Sequence, residues 1–124
     1  MSILVLGLIL STVTLSAVAQ LALKLAVEKP KMAAAMQSGV TDALIAAATS
    51  PLIWTGLIIY GLSVAMWLWV LSKVDLSIAY PFVGVSFIIT MAFGAFILDE
   101  NMTPLRIAGT LLIASGCLLV GKSA

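Results

Sequence analysis

Histidine is absent from the 124-residue chain, which removes an imidazole proton shuttle and any His-based metal site. Cysteine occurs once, at Cys117, so neither an intrachain disulfide nor a Cys-rich metal centre can form. Its setting, Ser115-Gly116-Cys117-Leu118-Leu119, reads as an apolar helix holding an inert core thiol. Charge is scarce: Asp, Glu, Lys and Arg make up 9% of the residues, far too few to cover a soluble domain. The net charge of +1, with no clustered basic face, gives no case for nucleic-acid binding. Nor does any Asp or Glu fall in the middle of a long apolar segment. Proton-coupled transporters commonly place a carboxylate there, so proton-driven exchange has no obvious carrier.

What the chain has in abundance is apolar length. It is 63% hydrophobic, with a mean hydropathy of +1.26. A bilayer-spanning helix takes about 20 apolar residues, and four segments qualify, at roughly residues 3–26, 51–72, 77–98 and 104–120. They are continuously apolar rather than alternating, which argues against a β-barrel. The expected fold is therefore all-α and integral to the membrane: one four-helix transmembrane domain over residues 1–124. Ser16-Ala17-Val18-Ala19-Gln20 has the small-x-small look of a signal-peptidase site. However, no Lys or Arg precedes the apolar stretch, which continues to Leu25, so an uncleaved first span is expected.

Local signals punctuate these spans. Pro30 discourages continuation of the first helix. Residues 31–50 hold Met32-Ala33-Ala34-Ala35-Met36, a Gly39 break and Ala43-Leu44-Ile45-Ala46-Ala47-Ala48. Such good helix formers suggest one or two short helices at the membrane interface, with a mobile surface loop as the alternative. Ser50-Pro51 and Thr103-Pro104 each pair an N-cap hydroxyl with proline at the first helical position. The short link Lys73-Val74-Asp75-Leu76 makes spans two and three antiparallel neighbours.

Small residues mark packing faces. Gly61 and Ala65 are spaced for close approach in the second span. In the fourth, Gly109 and Gly116 lie seven apart, as do Ala108 and Ser115. The fourth span suits a contact between subunits, or equally packing within one. Lys24, Lys29, Lys31 and Arg106 fall on one side and Lys73 and Lys122 on the other, a weak vote for both termini outside.

The residues able to carry chemistry start with a stripe. Thr12, Ser16, Gln20 and Lys24 recur every four residues in the first span, which stacks them on one helix face. A polar stripe in hydrocarbon must meet protein, water or a ligand. Lys24 reads either as an anchor that snorkels to the headgroups or as a cation ready for a phosphate. Asp99 and Glu100 close the third span on the same side, so Glu100 could pair with Lys24, or both acids could be solvated. Pro81, after Tyr80, leaves the Ser77 carbonyl without its usual donor unless Ser77 caps the helix. Tyr60 and Trp67 share a face of the second span and Trp69 points elsewhere; Trp67 could line a path or sit in an interfacial belt.

These residues are also where the chain resembles a known group, the drug/metabolite transporter superfamily. The resemblance covers all four spans: Ser77-Ile78-Ala79-Tyr80-Pro81, then Asp99-Glu100, then Thr103-Pro104 and a Gly-containing fourth helix. Two four-span branches compete. Small multidrug resistance exporters carry an essential glutamate in the first helix, where this chain has Ser16, and a tryptophan after the Ile-Ala-Tyr motif, where it has Val83. The EamA-like proteins of the ArnE and ArnF type show Leu-Ser-x-x-x-Gln-x-x-x-Lys, matched by Leu15, Ser16, Gln20 and Lys24. Their helix-two Trp falls on Trp67, and their Glu-x-x-Ser/Thr-Pro motif on Glu100, Thr103 and Pro104. The first loop looks longer and more helical than in that branch.

The resemblance implies a multi-pass protein of the bacterial inner membrane. It would be a flippase for a polyprenyl-phosphate-linked sugar or similar anionic lipid, not an enzyme, with no cofactor, catalytic residue or metal. Its substrate-binding residues would be Ser16, Gln20, Lys24, Trp67, Tyr80 and Glu100. It would act by alternating access as a homodimer, or as a heterodimer with a related four-helix subunit. An exporter of small cations and a non-transporting assembly subunit are the alternatives.

Overall fold

A computed structural model describes residues 2–123. The described residues form helices and turns with no strand, and four helical stretches are long and apolar enough to cross a membrane. The first, α1 (Ile3–Glu28), begins where the Ser2 hydroxyl accepts the Val5 N–H at 3.2 Å. At 1.5 Å per residue its 26 residues run about 39 Å, longer than a hydrocarbon core of about 30 Å. Its last turns, from Lys24 to Glu28, hold its only charged residues and are the end suited to headgroup depth.

Lys29 is extended, and Pro30 does more than end α1: it opens a second helix from its first position. The segment expected to be helical or mobile is two short helices, α2 (Pro30–Ser38) and α3 (Val40–Thr49). Gly39 separates them at φ 143°, a backbone state that favours glycine. Ser50 caps α4 (Pro51–Leu71) through the Ile53 N–H, and the Trp54 indole N–H donates to the Ala48 carbonyl at 2.7 Å, tying α4 back to α3.

The third span, Leu76–Phe96, is interrupted. It opens as α5 (Leu76–Ala79), tightens into a 3₁₀ turn at Tyr80–Phe82, and resumes as α6 (Val83–Phe96). The helix starts after Asp75 rather than at Ser77, and Pro81 has no N–H to offer the Ser77 carbonyl four residues back. The tightening at this point is the expected response. The span stops two residues short of the sequence expectation because Ile97 and Leu98 both donate to the Phe93 carbonyl. Thr103 caps α7 (Pro104–Lys122) through the Arg106 N–H at 3.2 Å. Its 19 residues give about 28 Å, so the fourth span is less short than its sequence suggests.

The long α1 is the centre of the bundle. It packs extensively on α4 and on α6, while α7 leans on α6 and the 3₁₀ turn. Spans two and three meet at their linked ends, where α4 touches α5; beyond that their principal neighbour is α1, which lies between them. The expectation that they would be packed neighbours holds only near the link. Their divergence over α1 leaves an open groove between them.

Glycines mark the tight approaches, though not all the ones expected. A Cβ on Gly56 would stand 2.8 Å from Leu23 of α1, one on Gly84 2.9 Å from Ile113 of α7, and one on Gly121 2.9 Å from the Phe82 ring. A Cβ on Gly61, Gly109 or Gly116 would meet nothing within 4 Å. Gly61 thus marks no close approach within the chain, and packing of α7 inside the subunit uses other residues than Gly109 and Gly116. Cys117 is buried beside Ile9, Val70, Ala79 and Phe82, as expected of a core thiol.

Candidate binding cavity

Where α4 and α6 diverge, α1 forms the floor of a polar groove. Ser16, Gln20 and Lys24 line it along α1, at the four-residue spacing that stacks one side chain above the next. The facing wall is α6, which contributes Ser86, Thr90 and Phe93; Tyr60 of α4 closes one edge and Glu100 the end. The cavity measures about 510 Å³. A smaller one of about 180 Å³ adjoins it, sharing Ser16, Tyr60 and Val83, and is lined further along by Thr12, Ser63, Trp67 and Tyr80.

All six residues singled out from the sequence line one or other of these two adjoining cavities. Trp67 and Tyr80 line the smaller, Gln20, Lys24 and Glu100 the larger, and Ser16 both. The Trp67 and Tyr80 rings meet edge-on, with centroids 6.4 Å apart and planes at 69°, a favourable arrangement for two quadrupoles. Trp69 lies elsewhere, beside Leu4 and Leu8.

The charge pairing differs from expectation. Lys24 Nζ lies 3.3 Å from Glu28 Oε1, and this is the one ion pair among the described residues. Because α1 continues to Glu28, that carboxylate stands one turn beyond Lys24 and reaches it before Glu100 can. Both groups are nearly half exposed, and an i,i+4 pair of this kind stabilises by only about 0.3–0.5 kcal/mol. It positions the ammonium without committing it.

Glu100 is held differently. Asp99 takes a left-handed φ of 52°, which turns the chain back so that the Glu100 N–H donates to the Gly94 carbonyl at 2.8 Å. On the far side of the turn, Arg106 Nη1 donates to the Asn101 carbonyl at 2.7 Å. Glu100 thereby meets the cavity from the α6 side and Lys24 from the α1 side.

Several hydroxyls in the spans are satisfied locally. Thr12 donates to the Leu8 carbonyl at 2.8 Å, Ser63 to Tyr60, Ser86 to Val83 and Thr90 to Phe87. Such back-bonding is how a helix carries Ser and Thr in apolar surroundings. Thr12 is buried and its donor is used, so Thr12→Val is expected to leave transport unchanged within about twofold. Substrate uptake into vesicles checks this.

The sequence reading missed the opposite wall. Ser86 and Thr90 repeat the four-residue spacing of the α1 stripe, and that periodicity was available in the sequence. Glu28 was legible too, as the i,i+4 neighbour of Lys24, once the helix was extended past residue 26. The seat of Glu100 on Gly94 depends on a backbone turn with no motif of its own. The described residues hold no cluster of three or more His, Cys, Asp or Glu that could ligate a metal.

No family model matches the chain, and no solved structure matches it significantly. Curated relatives do. A protein of Pseudomonas paraeruginosa (strain PA7) named "Probable 4-amino-4-deoxy-L-arabinose-phosphoundecaprenol flippase subunit ArnE" is 34% identical over 118 residues, covering 95% of this chain and 97% of that protein. Its namesake in Pseudomonas aeruginosa (strain UCBPP-PA14) matches to the same extent. One from Enterobacter sp. (strain 638) is 35% identical over 68 residues, 55% of this chain and 64% of that protein. Near-complete coverage in both directions, with the polar stripe and four spans in place, supports one conclusion. The chain belongs to the ArnE family, as a multi-pass protein of the bacterial inner membrane.

Proposed function

We propose that this protein is a flippase subunit that moves a polyprenyl-phosphate-linked sugar across the membrane, as the names of its relatives indicate for them. The observation that carries this reading is the placement of Ser16, Gln20 and Lys24 on the floor of a half-polar cavity between spans. Lys24 takes the phosphate by exchanging it for Glu28. Gln20 and Ser16 supply hydrogen bonds to the headgroup, whose desolvation in a membrane must be offset. Trp67 and Tyr80 line the onward route. The polyprenyl tail stays in the bilayer, so only the headgroup needs a polar passage. Binding and release of this kind form and break no covalent bond, which is transport rather than catalysis.

Residues 1–124 act as one four-helix unit in this proposal. Four helices hardly enclose a sugar phosphate, and Lys24 and Glu100 are exposed in the single subunit. A dimer, with a second copy or with a related four-helix subunit, closes the site. The face of α7 bearing Gly109 and Gly116 suits that contact, since nothing in the subunit covers it. Alternating access then follows from rocking of two repeats about the shared site.

Reconstitution tests the reading. Proteoliposomes holding the protein and any subunit that co-purifies with it should translocate a polyprenyl-phosphate-linked sugar, and failure to do so would refute it. Cation export, the second possibility, would need Glu100 as the substrate acid, because Ser16 offers no carboxylate. Under that reading Glu100→Gln would abolish resistance to cationic drugs. If the protein only assembled other components, it would not purify as a stable lipid-binding dimer.

A further inference from the structure

We infer that Lys29, Lys31 and the Ser50 hydroxyl hold the phosphate of an anionic membrane phospholipid, in the elbow where α1 turns into α2 and α3 into α4. The site is separate from the α1–α6 cavity and does not rest on the flippase reading.

The charges in the elbow carry the argument. A cavity of about 190 Å³ lies there, with Lys29, Lys31, Thr49 and Ser50 at its polar wall and Met32 and Ala46 beside them. Its two charged residues are both cations, and no carboxylate of the described residues lies within ion-pair distance of either. Glu28 is engaged with Lys24 at 3.3 Å. Asp42 stands a full turn before Ala46 on α3 and does not line the cavity. Lys29 caps α2, and Lys31 is its second residue, in a first turn that holds no acid. Cations at that end oppose the helix dipole, so the elbow concentrates positive charge that an anion would relieve.

The hydroxyls decide which donor joins the lysines. Thr49 spends its proton on the Ile45 carbonyl at 3.0 Å. Ser50 accepts the Ile53 N–H, while its own proton has no acceptor among the described residues. Two ammonium groups and one free O–H suit a phosphate, which offers several acceptor oxygens and charge of the opposite sign.

The surroundings point to a lipid as the source of that phosphate. Helix α3 has no buried residue, and Val40 and Leu44, on the face turned away from Ala46, are exposed. Such a face finds apolar partners at the acyl boundary of a bilayer, which sets the elbow at headgroup depth. Two cations without a carboxylate also discriminate among headgroups. They favour one of net negative charge over a zwitterionic one, whose own cation they repel.

Native mass spectrometry of the protein in detergent micelles tests this, with phosphatidylglycerol, phosphatidylcholine and inorganic phosphate as probes. The natural protein should retain phosphatidylglycerol roughly tenfold more strongly than phosphatidylcholine, the scale of two lysines beside an anionic headgroup. Lys29→Gln combined with Lys31→Gln should remove that preference in a protein that remains helical by circular dichroism, since both lysines are exposed and unpaired. Lys73→Gln combined with Lys122→Gln makes the same charge change at the opposite end of the bundle and should leave the preference intact. Lys24→Ala should leave it intact as well, whatever its effect on transport. Equal retention of the two lipids by the natural protein, or equal loss in the two double variants, would overturn the inference. Loss in Lys24→Ala would move the lipid to the α1–α6 cavity and overturn it too. Displacement of phosphatidylglycerol by equimolar inorganic phosphate would make this a site for the free ion, against the lipid assignment.

Discussion

Lys24→Ala is expected to abolish transport of a polyprenyl-phosphate-linked sugar while leaving the four-helix fold intact. The two halves of that expectation have separate grounds. Folding owes little to Lys24, whose partner Glu28 is nearly as exposed as Lys24 itself; losing such a pair costs at most about 0.5 kcal/mol. Substrate binding owes it much more. A hydrogen bond to a charged group contributes about 1.5–3 kcal/mol, and Lys24 is the one cation lining the cavity. The expected loss in affinity is roughly tenfold to a hundredfold, compounded during transport because the headgroup must leave water. Vesicle uptake measures the first half, and circular dichroism with size exclusion the second. Full transport by the variant would remove Lys24 from the mechanism.

Gly56→Leu should have the largest effect on stability. Gly56 is buried where α1 and α4 make the most extensive contact in the molecule. A Cβ there would stand 2.8 Å from Leu23 Cγ and Cδ2 and 3.4 Å from the Ala19 carbonyl. The leucine side chain of α1 can yield to one added methyl group but not to a second leucine. Overpacking of this kind costs about 1–3 kcal/mol. Gly61→Leu, on the same helix but with open space around it, is the matched control and should cost little. Thermal unfolding in detergent compares the two variants. Because leucine is a better helix former than glycine at both positions, equal destabilisation would mean that the α1–α4 approach does not single out Gly56.

The sequence made the helices legible because apolar length and capping are local. Ser50-Pro51 and Thr103-Pro104 start helices where they were expected, with each hydroxyl accepting a backbone N–H. Half of the site was legible for the same reason: residues four apart on one helix must share a face, so the α1 stripe needed no tertiary information. What the stripe faces is not local. That α1 lies between spans two and three follows from how whole faces pack, and the second span's faces are apolar almost all round. Gly61 with Ala65 was therefore read as a contact where Gly56 supplies it. The pairing of Lys24 turned on a smaller point. Two more residues of helix brought Glu28 within reach and left Glu100 free.

The central claim is that the headgroup of an anionic polyprenyl lipid occupies the cavity between α1 and α6. Photo-crosslinking tests it most directly, using a polyprenyl-phosphate-linked sugar with a diazirine on the headgroup and mapping the labelled residues by peptide mass spectrometry. The expected labels fall on α1 between Ser16 and Lys24 and on α6 between Ser86 and Phe93, and they fall sharply in Lys24→Ala. Labels confined to the outer face of α7, or unchanged by Lys24→Ala, would contradict it.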